Sequence, residues 1–159
     1  MKLQTLARVL PLLISLWQAL PAAAKPCIPD VFPPRWLAAQ EKEGGHTLAR
    51  HVGVSDAALV ERLLRDRRIK AASSFVSEAV AESAITQALR GGAALTNRWA
   101  AHALPGATRA DDFGPADNPL GRQAERPAGL ANVHDSRRFR TVIRATGGGG
   151  CLLLTAYPI

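Results

Sequence analysis

Two histidines, His46 and His51, lie five residues apart in a stretch that has glycines on both sides, from Gly44 to Gly53. The ordinary pKa of histidine lies close to neutral pH, so either ring suits general acid–base catalysis. Arg50 lies between them and adds a positive charge. We expect an irregular connection here, a type of segment that often carries catalytic groups. The alternative is a solvated polar loop without a catalytic role.

Three further side chains suit phosphate chemistry. Arg62 falls in the middle of a predicted helix, outside its most apolar stripe, and its planar guanidinium matches phosphate oxygens. Thr155 and Tyr157 are two residues apart near the chain end, so a strand would present both hydroxyls on one face. The alternatives are a solvated ion pair for Arg62 and ordinary strand propensity for the other two. No carboxylate cluster suits a two-metal nuclease, so neither a metal nor another cofactor is expected.

Helices are predicted in the first two thirds of the chain. The first covers residues 56–67, with Ser55 or Asp56 as its cap and an apolar stripe of Leu59, Val60, Leu63 and Leu64. A second begins after Ser77 and ends at the glycine pair 91–92, and a weaker third covers residues 93–103. Residues 69–75, between the first two, are expected to be partly extended.

The end of the chain is predicted to be an antiparallel hairpin. Residues 138–146 and 151–157 have strand composition and are joined by four glycines. If Arg144 pairs with Cys151, Arg140 lies beside Thr155 and Arg138 beside Tyr157, which makes Arg138 and Arg140 candidate RNA-binding residues. Residues 104–137 are rich in Pro, Gly and Asp and are expected to form a long loop. Helices before a sheet indicate an α+β fold.

Composition limits the partners. The chain has 159 residues, a formal net charge of +7 and a pI near 10.4. A strongly basic domain attracts polyanions, which are nucleic acids or anionic membranes. Hydrophobic residues make up 47% of the chain, enough for a core, but aromatic residues only 5%, so that core must be largely aliphatic.

The first 24 residues resemble a secretory signal peptide. Lys2 and Arg8 supply the positive region, residues 9–20 the apolar region, and residues 21–24 a small-residue cleavage site. The apolar run is shorter than the ~20 residues of a membrane span. We therefore expect cleavage after Ala24, export to the periplasm or medium, a Pro-rich arm at 25–43 and a domain at 44–159.

Two cysteines, Cys27 and Cys151, remain after this cleavage. In an oxidising compartment a disulfide is the expected state. Closing so long a loop contributes about 4 kcal/mol in the chain-entropy treatment. The alternative is two buried free thiols.

Residues 44–159 resemble the bacterial ribonuclease-A-like toxin domain that ends contact-dependent growth inhibition proteins and other polymorphic toxins. The matching segments are GHTLARHVG at 45–53, ERL at 61–63, ASSF at 72–75 and LTAYP at 154–158. The resemblance implies helices packed on a twisted antiparallel sheet, as in pancreatic ribonuclease, with RNA in a cleft. By motif position it assigns the catalytic set to His51, Arg62, Thr155 and Tyr157.

The resemblance implies a metal-independent endoribonuclease toxin. The 2′-hydroxyl of RNA would attack the adjacent phosphorus and leave a 2′,3′-cyclic phosphate, with His46 and Lys70 as secondary candidates for acid–base work or phosphate binding. The expected partners are RNA, with tRNA as one candidate, and a small acidic immunity protein that protects the producer; the protein is expected to be monomeric. Two other functions stay open: a non-catalytic exported module that binds RNA or a surface, and a structural periplasmic protein with incidental charge.

Overall fold

The computed structural model describes residues 26–126 and 132–159. The predicted signal peptide, residues 1–24, lies outside the described residues. Within the described part of the chain, no helix is both long and apolar enough to cross a membrane.

Five helices and six strands are present in the described residues. In chain order they are α1 Trp36–Lys42, α2 Thr47–His51, α3 Asp56–Arg65, β1 Ala71–Phe75, α4 Glu78–Gly91, α5 Ala93–His102, β2 Thr108–Phe113, β3 Gly121–Glu125, β4 Asn132–Ser136, β5 Phe139–Gly147 and β6 Gly150–Pro158. The strands form two antiparallel sheets of three, in the orders β1-β3-β4 and β2-β5-β6. The predicted α+β fold is confirmed, with the sheet divided into two.

Serine caps begin the two longest predicted helices. Ser55 Oγ accepts a hydrogen bond from the Ala58 backbone N–H at 3.3 Å, and Ser77 Oγ accepts one from Val80 at 3.2 Å. Each bond satisfies a donor that the first helical turn leaves without a partner. The predicted starts of α3 and α4 are therefore confirmed.

Helix α3 ends at Arg65, two residues before the predicted end at residue 67. The Asp66 carboxylate accepts hydrogen bonds from the Arg68 backbone N–H at 3.0 Å and from its guanidinium at 2.9 Å. A side chain that bonds the backbone two residues later forms a turn that competes with the helix. This turn directs the chain into β1.

Two apolar clusters hold the elements together. The larger one joins the N-terminal arm, α4, α5 and both sheets, and its buried members include Ile28, Trp36, Leu37, Phe75, Ile85, Leu89, Phe139, Ile143 and Leu153. The smaller one places Leu59 and Leu63 of α3 on Ala72 and Ala124. Leu64, predicted to share that stripe, is 68% exposed. Helix α3 thus packs through a narrow face, which leaves its other faces available to solvent or ligand.

The prediction of a long loop over residues 104–137 is wrong, because this segment contains β2, β3 and β4. Strand β2 pairs along β5, and β3 pairs with β1 and β4. The sequence of β2 is polar because it alternates exposed and half-buried positions at a sheet edge. Backbone pairing with β5 stabilises it, and a hydrophobic period does not reveal such pairing.

The hairpin of β5 and β6 is confirmed, but its predicted register is wrong. Ala145, not Arg144, pairs with Cys151, and Arg140 pairs with Tyr157. The pairing jumps between residues 142 and 143, so that Leu154 has no partner in the ladder. Such a β-bulge shifts every later pair by one residue and changes which side chains share a face.

The disulfide between Cys27 and Cys151 is present and joins the start of the arm to β6. Next to it, the Asn97 side chain accepts a hydrogen bond from the Ile28 backbone N–H at 2.7 Å and donates one to the Ile28 carbonyl at 3.3 Å. The arm also places Trp36 and Leu37 in the larger core cluster. The segment from 26 to 43 is therefore packed against the rest of the fold.

Candidate functional site

A polar pocket of about 290 Å³ lies where α2, α3, β1, β3 and β6 meet. Its lining includes His46, His51, Arg62, Thr155 and Tyr157. These are the four predicted catalytic residues and one of the two secondary candidates. Two successive helices and the last strand thus meet in one pocket.

Helix α2 places both histidines, although an irregular connection was predicted here. The Glu41 carboxylate of α1 accepts hydrogen bonds from the backbone N–H groups of Leu48 and Ala49, at 3.1 and 2.9 Å. The His46 N–H donates to the Leu154 carbonyl at 2.9 Å, which ties the helix start to β6. The acceptor that begins α2 comes from another element, so local sequence signals miss this helix.

His51 is held in a defined orientation. Its Nδ1 lies 3.0 Å from the Ser73 carbonyl oxygen of β1. A carbonyl only accepts, so the proton of the neutral ring resides on Nδ1 and donates to Ser73. The Nε2 atom is then the unprotonated nitrogen, which is the state that a general base requires.

Burial lowers the pKa of His51 to about 4, since the charged ring would lose its solvation. The Ser73 carbonyl opposes this shift, while the positive charges of Arg62 and Arg50 and the ring of His46 add to it. Only 9% of the residue is exposed. His51 is consequently neutral at physiological pH.

His46, at the start of α2, shares this environment. Burial and the charge of Arg50 lower its pKa, and Glu41 opposes them. It is half-buried and lines the same pocket as His51. Both rings are therefore subject to the same positive field.

The two hydroxyl residues come from β6. Thr155 is 8% exposed, and its buried Oγ1 has no hydrogen-bond partner among the described residues. The ring of Tyr157 lies 5.2 Å from that of His51, centroid to centroid, with a tilt of 32°. A buried hydroxyl without a partner is costly in a folded protein, so one that lines a pocket is a natural donor to a bound ligand.

Arg62 reaches the pocket from α3. It lies one residue before the buried Leu63, so the helix directs it away from the small core cluster. Within residues 26–126 and 132–159 it forms no ion pair. Its guanidinium is available for an anion.

The structure does not bring three other predicted residues into this pocket. Lys70 is exposed and lies outside the lining, and its backbone carbonyl accepts a hydrogen bond from the Arg126 N–H. Arg138 is also exposed and lies outside the lining. Arg140 binds the Asp112 carboxylate with two bonds of 2.5 and 2.7 Å. Hydrogen bonding to Asp112, and then to Tyr157, raises the pKa of Arg140. Arg140 pairs with Tyr157 across β5 and β6, but it does not line the pocket.

A comparison with protein families matches residues 45–158 to the bacterial CdiA-CT RNAse A domain. The chain belongs to this family. The matched range contains every residue that lines the pocket except the last, Ile159. The resemblance expected from the short motifs is thereby confirmed.

A solved structure shows the same fold in a related protein, the CdiA-CT/CdiI complex from Y. kristensenii 33638. The two chains are 26% identical, with a TM-score of 0.62, over 72% of this chain and 99% of the other. A search of curated proteins returned no match.

Two residues of this CdiA-CT RNAse A domain line the pocket, although sequence reasoning gave them no role. Ser73 supplies the carbonyl that orients His51. Gln123 of β3 pairs directly opposite Ser73, is only 7% exposed, and donates from Nε2 to Glu125 at 2.8 Å. Ser73 acts through its backbone, which any residue would supply, and Gln123 lies in the segment predicted to be a loop.

A larger groove of about 570 Å³ lies elsewhere, between α4 and the segment after β2. Its lining is mostly apolar, with Ala84, Phe113 and Leu120 among its members, and contains no titratable side chain. It offers no group for acid–base work, so the smaller polar pocket is the candidate active site. In the described part of the chain, no cluster of three or more His, Cys, Asp or Glu side chains could hold a metal ion.

Proposed function

We propose that this chain is a metal-independent endoribonuclease toxin, and that the 2′-hydroxyl of the RNA attacks the adjacent phosphorus during cleavage. The family and the related solved structure support a ribonuclease toxin of contact-dependent growth inhibition. One observation carries the chemical step: neutral His51, fixed by Ser73, shares a pocket with Arg62, Thr155 and Tyr157. These groups supply a base, a cation and two hydroxyl donors around one site.

The proposed reaction begins at His51. Its Nε2 takes the proton of the 2′-hydroxyl while that oxygen forms a bond to the adjacent phosphorus. Arg62 and the free hydroxyl of Thr155 bind the phosphorane oxygens, whose negative charge grows in the transition state. The bond from phosphorus to the 5′-oxygen then breaks, which leaves a 2′,3′-cyclic phosphate and a 5′-hydroxyl.

The leaving oxygen needs a proton, and Tyr157 is the proposed donor. Its ring lies beside His51, and Arg140 contacts its hydroxyl from the neighbouring strand. His46 is the other candidate for this role, because it lines the same pocket and has a titratable ring.

The decisive test incubates the purified protein, without residues 1–24, with tRNA and total RNA in excess EDTA, and identifies the product ends. We expect cleavage with 2′,3′-cyclic phosphate ends, and a loss of at least roughly 100-fold in His51→Ala, as for other general acid–base residues. His102→Ala is the matched control, because His102 is exposed on α5 outside the pocket. RNA that is bound but left intact would favour the non-catalytic binding module instead.

We also propose a protein partner and a route. The related chain is solved as a CdiA-CT/CdiI complex, and a basic pocket suits a small acidic immunity protein. Residues 1–24 are proposed to direct export and to be removed after Ala24. Mass spectrometry of the protein from the periplasm and medium tests the route, since an intact Met1 terminus would exclude this cleavage.

A further inference from the structure

A second concave surface adjoins the candidate active site and shares two residues with it. This groove has a volume of about 420 Å³ and lies between α2 and α3. Its lining residues are Ala49, Arg50, Val54, Ala58, Arg62 and Arg65. Arg50 and Arg62 also line the active-site pocket, so the two cavities are adjacent.

Helix geometry explains why the arginines converge. Ala58, Arg62 and Arg65 follow each other at steps of four and three residues, which places them on one face of α3. Leu59 and Leu63 bury a different face against the small core cluster. The groove is therefore lined by three arginines and three small apolar residues.

The charges in this groove are not neutralised by the described part of the protein. Arg65 lies 3.7 Å from Glu61, with both side chains more than 70% exposed, and such pairs are weak. Arg50 and Arg62 form no ion pair with any described residue.

Three of the four arginines on the described strands are treated differently, whereas the fourth, Arg144, forms no ion pair with a described residue. Arg109, Arg122 and Arg140 each bind a carboxylate, at 2.6, 2.8 and 2.5 Å respectively. The fold thus neutralises these arginines but leaves the guanidinium groups of the groove accessible.

We infer that this groove binds a second phosphate of the RNA backbone, next to the phosphate that is cleaved. The inference rests on the proposed function and extends its site. Arg62 faces the scissile phosphate and joins the two cavities, while Arg50 and Arg65 bind the neighbouring phosphodiester. A polymer with a negative charge at every nucleotide suits two adjacent cationic cavities, and contacts to phosphate are independent of base sequence.

The groove also indicates the direction in which the RNA backbone leaves the active site. Arg138 and Arg140 were predicted to bind RNA, yet Arg140 is held by Asp112 and Arg138 lies outside both cavities. The backbone is expected to leave the active site along α3 rather than along β5. A substrate of three nucleotides would then bind more tightly than a dinucleotide.

Binding is measured first, in a His51→Ala background that leaves the RNA intact. We titrate a trinucleotide and a dinucleotide at several salt concentrations with Arg65→Ala, Arg65→Lys and Arg67→Ala. Arg67 is the matched control because it is an exposed arginine two residues after Arg65 and lines neither cavity. The salt slope and affinity report the phosphate contact directly.

For the trinucleotide, we expect Arg65→Ala to weaken binding about fivefold, the effect of one exposed ion pair. The salt slope is expected to fall by about 0.7, the contribution of one contact to single-stranded nucleic acid. Arg65→Lys is expected to keep most of that slope, and Arg67→Ala to match the parent. Equal losses for both substrates, or no difference from Arg67→Ala, would overturn the inference.

Two further arms separate this inference from the proposed function. In the otherwise wild-type protein, Arg65→Ala is expected to reduce the preference in kcat/KM for trinucleotide over dinucleotide. If the wild-type protein cleaves RNA but Arg65→Ala leaves this preference unchanged, the groove is wrong and the function stands. If nothing is cleaved but the binding differences appear, the function is wrong and the groove stands. If Arg65→Ala weakens the binding of poly-L-glutamate more than the binding of RNA, the groove would instead be assigned to an acidic protein, and our inference would be refuted.

Discussion

The buried, neutral state of His51 has a measurable effect on stability. Burial lowers its pKa from 6.5 to about 4 in the folded protein, whereas the unfolded chain keeps the ordinary value. Above pH 6.5 both states are neutral, so His51 has no effect there. Below pH 6.5 the unfolded state binds the proton first, and the free energy of unfolding falls. Most of the fall has occurred by pH 4, and it ends below the folded-state pKa.

The magnitude follows from the size of the shift. Each unit of pKa difference corresponds to ~1.4 kcal/mol, so the displacement to about 4 removes about 3 kcal/mol between pH 7 and pH 4. That is a large fraction of the 5–15 kcal/mol typical of a domain.

The assay compares His51→Asn with the wild type, because asparagine keeps an N–H near Nδ1 but does not titrate. Urea unfolding of both proteins is measured at pH 7, 6, 5 and 4, with the disulfide intact. Other titrating groups are common to both proteins, so they largely cancel in the difference. We expect the stability of the wild type relative to His51→Asn to fall by about 3 kcal/mol from pH 7 to pH 4.

A difference that does not change with pH would refute this reasoning. It would mean that His51 has an ordinary pKa in the folded protein, and hence that it is not buried beside Arg62 and Ser73. A difference that rises toward low pH would be worse for the proposal. It would show that the folded pocket stabilises the charged ring, so that His51 would not be a neutral base.

Three more predictions concern other parts of the structure. Thr155→Val is expected to lower kcat by about 100-fold, as loss of an oxyanion donor does. The free energy of unfolding is expected to stay the same or to rise by about 1 kcal/mol, because the buried Oγ1 has no partner among the described residues. A loss of kcat together with a loss of stability would assign Thr155 a structural role. Replacing Cys27 and Cys151 together by serine is expected to lower the free energy of unfolding by about 4 kcal/mol, since the bond closes a loop of 124 residues. Urea unfolding measures this change, and an unchanged midpoint of the transition would contradict the prediction. Gly121→Ala is expected to destabilise the protein by more than about 2 kcal/mol in thermal unfolding, because a Cβ would overlap the Ser74 carbonyl oxygen. A variant as stable as the wild type would show that β1 and β3 lie farther apart.

The helices could be predicted from the sequence because their signals are local. Ser55 and Ser77 mark the starts of α3 and α4, and apolar spacing marks the faces that they bury. The strands β2, β3 and β4 could not be predicted, because their polar residues are stabilised by pairing with distant segments. The short helix α2 was missed for the same reason, since its cap comes from Glu41.

The candidate site could likewise be predicted only in part. His51, Arg62, Thr155 and Tyr157 were assigned by resemblance to short motifs, and the structure brings them into one pocket. Two irregularities could not be predicted: one at the glycine turn, between residues 145 and 147, and the bulge at residue 154. The partners of Thr155 and Tyr157 are displaced by two residues from the predicted register. Arg140 therefore lies beside Tyr157 instead of Thr155.

The electrostatics of the pocket connect binding to the chemical step. In the free protein, burial and the charges of Arg62 and Arg50 disfavour a proton on His51. The same positive charges attract a phosphodiester, whose negative charge then offsets them at the ring. Substrate binding is thus expected to raise the pKa of His51 while the 2′-hydroxyl is in place. The ring thus becomes a stronger base when the 2′-hydroxyl is present to donate its proton. In the free protein it stays neutral, so no proton from solvent occupies Nε2.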